Sequence, residues 1–205
     1  MTRRIGHRGA RGHVAENTLA SFERAIELGC DEIETDVWLI DRGLIVSHDP
    51  PERSATLTLA EALDACAGRV ALNVEVKAMR DEAIAYSAGA RVASTIAERR
   101  ADAYVSSFWW PALEGAREHA AVVRRAYIYA SYAEVEVLVA RARAAGLWAL
   151  HPNQTYVTQD LVARAHAAGL QVNAWTANEP ADIAALIAAG VDGICSDFPE
   201  RVPKG

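Results

Sequence analysis

The sequence has no surplus of positive charge: 27 acidic residues stand against 21 lysines and arginines, a formal net charge of -6. That argues against nucleic-acid binding, which favours a basic face. Cysteine is scarce, with Cys30, Cys66 and Cys195 making up the whole set. They lack metal-ligand spacing and cannot all pair, so free buried thiols in a reducing compartment are expected. No run of about 18 uninterrupted apolar residues occurs, and Met1-Thr2-Arg3-Arg4 leads straight into a strand-like segment without an apolar signal region. A cytoplasmic protein without a membrane span is the expectation. Missing too are a Pro/Ser-rich linker and low-complexity sequence, which predicts one domain over residues 1–205. There is no G-x-S-x-G elbow and no P-loop, and Gly6, Gly9 and Gly12 are wrongly spaced for a dinucleotide fingerprint. A serine hydrolase and a doubly wound nucleotide fold therefore find no support.

What is present has the composition of an ordinary globular protein, 51% hydrophobic and 23% charged. Ala-rich helical segments alternate with short β-branched runs, the pattern of repeated βα units. Residues 139–147 and 162–170 echo each other, each a helix ending at a glycine with a strand following at once. Gly29 and Gly190 have the same place after a helix, where a left-handed cap suits glycine. Strands are expected near 3–8, 32–40, 70–77, 103–108, 123–129, 147–151, 171–176 and 193–196, with 44–48 as an extra ribbon. Helices are expected over 18–29, 59–67, 81–100, 110–119, 133–145, 158–168 and 180–189. The class this predicts is α/β, a (β/α)8 TIM barrel whose last helix is short or missing because Pro199 and Pro203 crowd the end.

In such a barrel the active site lies at the C-terminal ends of the strands. Glu34 and Asp36 are two residues apart in an apolar run, so on a strand they share a face. Two buried anions need compensation, and a hard divalent cation with oxygen ligands supplies it. Glu75 and Lys77 share a face by the same rule, adding a third carboxylate and a cation. His7 and Arg8 follow a short strand that runs into glycine, and His48 follows another that Pro50-Pro51 stops. Two imidazoles beside such a site suit acid and base roles. Three carboxylates against Arg8 and Lys77 leave the pocket net negative, so a phosphodiester would be repelled unless a divalent cation reversed the sign. Oxygen ligands without Cys favour Mg²⁺ or Ca²⁺, with Mn²⁺ also compatible, over structural zinc.

These pieces together resemble the glycerophosphodiester phosphodiesterase family: His7-Arg8-Gly9, Glu16-Asn17-Thr18, Glu34-x-Asp36, His48-Asp49, Asn73-x-Glu75-x-Lys77, Ala174-Trp175-Thr176 and Ser196-Asp197-Phe198-Pro199. The likeness covers nearly the whole chain. It implies a PLC-like phosphodiesterase barrel with Glu34, Asp36 and Glu75 on the metal, Arg8, Lys77 and Trp175 on the substrate, and His7 and His48 in catalysis. Metal-dependent hydrolysis of a glycerophosphodiester to an alcohol and sn-glycerol 3-phosphate is the implied reaction. Which histidine is acid and which base stays open, as does the attacking oxygen, water or a substrate hydroxyl that would first form a cyclic phosphate. Asn17 is a bracing candidate, and Phe108 and His151 are rim candidates. His13, His119 and His166 are expected on loops or helix surfaces.

The family usually carries a small cap between its second histidine and the next helix. Here His48 is followed within a few residues by the helix start at Leu57, so most of that cap is absent. Residues that would recognise glycerol go with it, leaving room for a bulkier diester such as a lysophospholipid or a sugar phosphodiester. A phosphodiester-binding barrel without turnover and a metal-dependent sugar isomerase are the rival readings.

Overall fold

The computed structural model describes residues 1–78 and 81–204. Its strands are β1 (Arg3–Gly6), β2 (Glu32–Ile40), β3 (Gly43–Val46), β4 (Ala71–Lys77), β5 (Ala103–Ser107), β6 (Arg125–Tyr129), β7 (Ala149–Pro152), β8 (Gln171–Ala174) and β9 (Gly193–Ser196). Between them run α1 (Leu19–Glu27), α2 (Leu59–Cys66), α3 (Glu82–Arg99), α4 (Trp110–His119), α5 (Val135–Ala144), α6 (Gln159–Ala167) and α7 (Pro180–Ala189). All strands except β3 lie parallel in the order β1-β9-β8-β7-β6-β5-β4-β2, and β1 also pairs with β2, which closes the ring. This is the (β/α)8 barrel that the alternation predicts. β3 is an antiparallel ribbon on β2, with Val37 opposite Val46. After β9 the chain makes only a 3₁₀ turn at Pro199–Arg201 where an eighth helix would stand. No described helix is long and apolar enough to cross a membrane.

Local chemistry sets these boundaries. Thr18 and Thr58 cap α1 and α2 through the backbone N–H groups of Ser21 and Glu61, satisfying donors that the first helical turn leaves free. Gly29 and Gly190 stand just past α1 and α7 with φ of 72° and 87°, the left-handed conformation that glycine adopts without a Cβ clash. Gly89 of α3 and Gly115 of α4 let these two helices touch backbone to backbone. A Cβ on Gly89 would run into the Ala112 carbonyl, and one on Gly115 into that of Tyr86.

Parallel strands buried on both sides put alternate residues on opposite faces. Ile33, Val37, Leu72, Val74 and Val76 face the helices and join the main apolar core, which lies between ring and helices. The inside of the ring is more polar. At its N-terminal end, Arg3 Nε pairs with Glu32 Oε1 at 3.0 Å, Tyr104 donates to Glu32 Oε2 at 2.8 Å, and Arg3 and Arg124 both stack on Trp148. These side chains close that end. The opposite end carries the ionisable cluster.

Candidate active site

Register brings the acids together. Asp36 of β2 lies level with Glu75 of β4, and Glu34 level with Asn73. One carboxylate oxygen from each of Glu34, Asp36 and Glu75 falls within 4.8 Å of the others, and all three residues are buried. Such crowding is costly for like charges. Burial first, and then Asp36 and Glu75, raises the Glu34 carboxyl well above its ordinary value. Burial and Asp36 likewise push Glu75 up to about 7.

Two cations answer the three anions. Lys77 Nζ donates to Glu75 Oε1 at 2.7 Å and lies 3.1 Å from Asp36 Oδ1. Burial works against this ammonium, but Glu75 and Asp36 outweigh it and push Lys77 up to about 12. The Arg8 guanidinium reaches Asp36 Oδ2 at 3.2 Å and Glu16 Oε1 at 2.8 Å. Its own backbone N–H donates to Glu34 Oε2 at 3.0 Å, a contact made possible by the left-handed turn at Arg8, φ 50°. Asn17 donates to Asp36 Oδ2 at 2.9 Å and accepts from Thr35 Oγ1 at 2.7 Å, so it fixes the carboxylate's orientation. Glu34 Oε1 remains buried without a hydrogen-bond partner. An orphaned acceptor in a cluster with one more anion than cation, all donors oxygen, fits a hard divalent ion.

His7 is built for a definite protonation state. β1 ends at Gly6, two residues earlier than expected, and releases His7 into the turn with Nδ1 2.6 Å from Asp197 Oδ1. The other nitrogen, Nε2, lies 3.9 Å from Glu34 Oε2 and faces the acids. Burial lowers the His7 pKa, against the opposing pull of Asp197. Asp197, despite burial, is held below the usual carboxylate range by His7 and Asn178. Asn178 donates to Asp197 Oδ2 at 2.8 Å and accepts from the Asp197 backbone N–H at 2.9 Å. Neither role is evident in the sequence, where Asp197 lies 190 residues from His7. The signal that pointed there was the matching of Ser196 to Pro199 with a family pattern.

His48 is the expected site residue that the structure does not draw into the cluster. Its Nδ1 lies 3.0 Å from Asp49 Oδ1, and no hydrogen bond or ion pair joins it to the three acids among the described residues. It lines a neighbouring groove of about 630 Å³ with Asn17, Ser47 and Thr56, beside the shortened 49–57 connection. Trp175 directly follows β8 and shares with His7, Glu34 and Glu75 a small internal cavity of about 30 Å³. Its indole donates to the His151 carbonyl at 2.8 Å, and its ring meets Phe108 edge-on at 5.5 Å.

His151, expected near the rim, lines the same cavity as Trp175, His7 and Glu34, one residue inside the end of its strand. β7 runs on through Pro152, leaving His151 4% exposed inside the ring with Nε2 3.1 Å from Asn173 Nδ2. Burial and then Arg3 press its pKa down to about 3, so it stays neutral and belongs to the wall of the cavity. His13, His119 and His166 lie on the surface, as expected.

A family profile described as the glycerophosphoryl diester phosphodiesterase family matches residues 7–57 and 50–201. The glycerophosphodiester phosphodiesterase of Caldanaerobacter subterraneus is 29% identical over 233 residues, covering 97% of this chain and 95% of that one. That alignment is longer than the present chain of 205 residues, so the relative carries residues that this chain lacks. Among solved structures, a putative glycerophosphoryl diester phosphodiesterase from Silicibacter pomeroyi superposes with a TM-score of 0.85 at 27% identity, covering 98% and 92% of the two chains. An Oleispira antarctica phosphodiesterase, solved with the product sn-glycerol-3-phosphate, shares the fold with a TM-score of 0.86 at 24% identity, covering 98% and 95%.

Proposed function

The chain belongs to the glycerophosphoryl diester phosphodiesterase family, and from that membership we propose that it acts as one catalytic unit over residues 1–205, in the cytoplasm, hydrolysing a small glycerophosphodiester to an alcohol and sn-glycerol 3-phosphate with a divalent cation. The observation that carries this reading is the convergence of Glu34, Asp36 and Glu75 beneath the positive side chains of Arg8 and Lys77.

A divalent ion, Mg²⁺, Ca²⁺ or Mn²⁺, held by those three acids would supply charge that polarises a nonbridging phosphate oxygen. Arg8 and Lys77 bind the same phosphate and offset the charge that grows on it during reaction. Asp197 takes the His7 Nδ1–H, which leaves the Nε2 lone pair turned toward the pocket to accept a proton from the attacking oxygen. His48, on the groove side, returns a proton to the leaving alcohol. Trp175 packs against the substrate at the far wall.

Cation-dependent release of sn-glycerol 3-phosphate from glycerophosphocholine tests the reading. EDTA, His7→Ala and His48→Ala should each abolish it while near-ultraviolet circular dichroism stays native. Full activity in both alanine variants would show the mechanism wrong. The position of His48 outside the cluster favours one alternative, a barrel that binds diesters without turnover. Calorimetry showing tight binding beside zero turnover over a broad panel of diesters would establish it.

A further inference from the structure

Inside the ring, hydrogen bonds form a directed chain from the closed end to the acid-walled cavity. Arg3 Nη2 lies 3.0 Å from Asn173 Oδ1, and Asn173 Nδ2 lies 3.1 Å from His151 Nε2. A guanidinium can only donate, so it takes the carbonyl side of the Asn173 amide and turns the NH₂ group toward His151. An amide nitrogen also only donates. His151 Nε2 must therefore accept, which puts the ring proton on Nδ1. Arg3 is itself held by Glu32 at 3.0 Å, so the chain starts from an anchored charge.

Gly193 makes room for this arrangement. It pairs with Asn173 across β8 and β9, and a Cβ on it would come within 2.7 Å of Asn173 Oδ1 and 2.8 Å of Ile5 Cδ1. Space, rather than a left-handed backbone, calls for glycine here.

At the other end of the chain, His151 lines the cavity of about 30 Å³ together with Glu34 and Asn73, which stand level on β2 and β4. Glu34 Oε1 and Asn73 Oδ1 are buried acceptors without a protein partner. Among the described residues His151 Nδ1 has no protein acceptor either. Two acceptors and one donor thus border a space that none of them spans. A water molecule needs about 10–15 Å³ and two to four polar partners, and both conditions are met.

We propose that Arg3, Asn173 and His151 are a positioning relay that holds one buried water between His151 Nδ1–H, Asn73 Oδ1 and Glu34 Oε1. The water accepts from the imidazole and donates to the two oxygens, and no proton changes owner. Glu34 Oε1 keeps a second lone pair for the cation, and a ligating carboxylate that is also hydrogen-bonded is held in its coordinating orientation. The effect on the cation rests on the diesterase reading, whereas the relay and its water do not.

Long-range proton–nitrogen NMR of the cation-free protein, labelled at its histidine nitrogens, reads the tautomer directly. The His151 signal, identified by its loss in His151→Asn, should show a protonated Nδ1 and a bare Nε2. Asn173→Leu removes the donor, and Gly193→Ala displaces it; each should let the proton move in part to Nε2. A parent ring protonated at Nε2, or one that neither variant changes, would overturn the relay. High-resolution crystals of the cation-free protein should place a single water within hydrogen-bond distance of all three atoms, and a dry cavity would overturn the site. Calorimetry with Mn²⁺ reads the coupling: His151→Leu should weaken binding about tenfold, and His151→Asn, whose amide nitrogen falls near the place of Nδ1, should stay within about threefold of the parent. Equal affinity in all three proteins, or an equal loss in both variants, would refute the positioning role. A parent that binds no cation would sink the proposed function instead, and the tautomer and the water would then decide the relay alone.

Discussion

Replacing Glu75 by glutamine should make the metal-free protein more stable above neutral pH while removing its response to a divalent cation. Folding moves this carboxyl from an ordinary value of 4.5 up to about 7, because it is buried beside Asp36. The folded state then binds the proton more tightly than the unfolded chain does. Stability from this group is fully present below about pH 4.5 and is lost as pH rises through about 7. At about 1.4 kcal/mol per pKa unit the loss comes to roughly 3 kcal/mol.

The value of about 7 already includes the pull of Lys77, so glutamine, which cannot ionise and still offers Lys77 an amide oxygen, should gain up to roughly 3 kcal/mol over the parent at pH 8. Lys77 also keeps Asp36 as a partner. A cation at 100 times its dissociation constant adds about 2.7 kcal/mol to the parent, or roughly 5–11 °C in Tm for a chain of this size. The assay is thermal unfolding of both proteins from pH 5 to 8, in EDTA and in excess Mg²⁺ or Ca²⁺. Subtracting one protein from the other cancels the titrations that Glu75 does not touch, and relief of Glu34, whose carboxyl Glu75 also raises, adds to the difference in the same direction. The reasoning is refuted if the difference in EDTA does not grow in favour of glutamine as pH rises, or if the variant still responds to the cation as the parent does.

Asp197→Asn should lower kcat on the order of 10²-fold with a smaller change in KM, because His7 loses the partner that fixes its tautomer; cation binding measured by calorimetry should survive, and loss of both together would assign Asp197 a folding role instead. Gly89→Ala should destabilise the fold by about 1–3 kcal/mol in urea unfolding, since the added Cβ meets the Ala112 backbone, which outweighs the usual helix gain of about 1 kcal/mol. A more stable variant would mean that α3 and α4 can part freely. Asn17→Ala should weaken cation affinity about 10-fold or more by freeing Asp36 Oδ2, with His7 untouched; unchanged affinity would leave Asn17 as a turn residue only.

Much of this architecture is legible in the order of residues because barrels repeat local rules. Glycines past helix ends, threonine caps and a two-residue rule for strand faces each act over a few positions, so β2 lies where its apolar run places it. The two-residue rule puts Glu34 with Asp36 and Glu75 with Lys77, while the register that sets Asp36 level with Glu75 belongs to the folded sheet, and only the family resemblance joins the three acids. Other features depend on closure of the ring. The His7–Asp197 pair joins the first strand to the last, and nothing near His7 foretells it. His151 lines the cavity it was expected to approach, but one residue deeper than a strand end, because β7 pairs on through Pro152. His48 lies on a connection whose path follows from the missing cap, and neither periodicity nor spacing describes such a loop.

Among the described residues, the stack of Arg3, Glu32, Tyr104 and Trp148 fills the end of the barrel opposite the acids, which leaves the C-terminal mouth as the way in. Reactants and products share one doorway, so a departing alcohol and an arriving diester must take turns. Turnover should therefore slow in viscous solvent and under accumulated product.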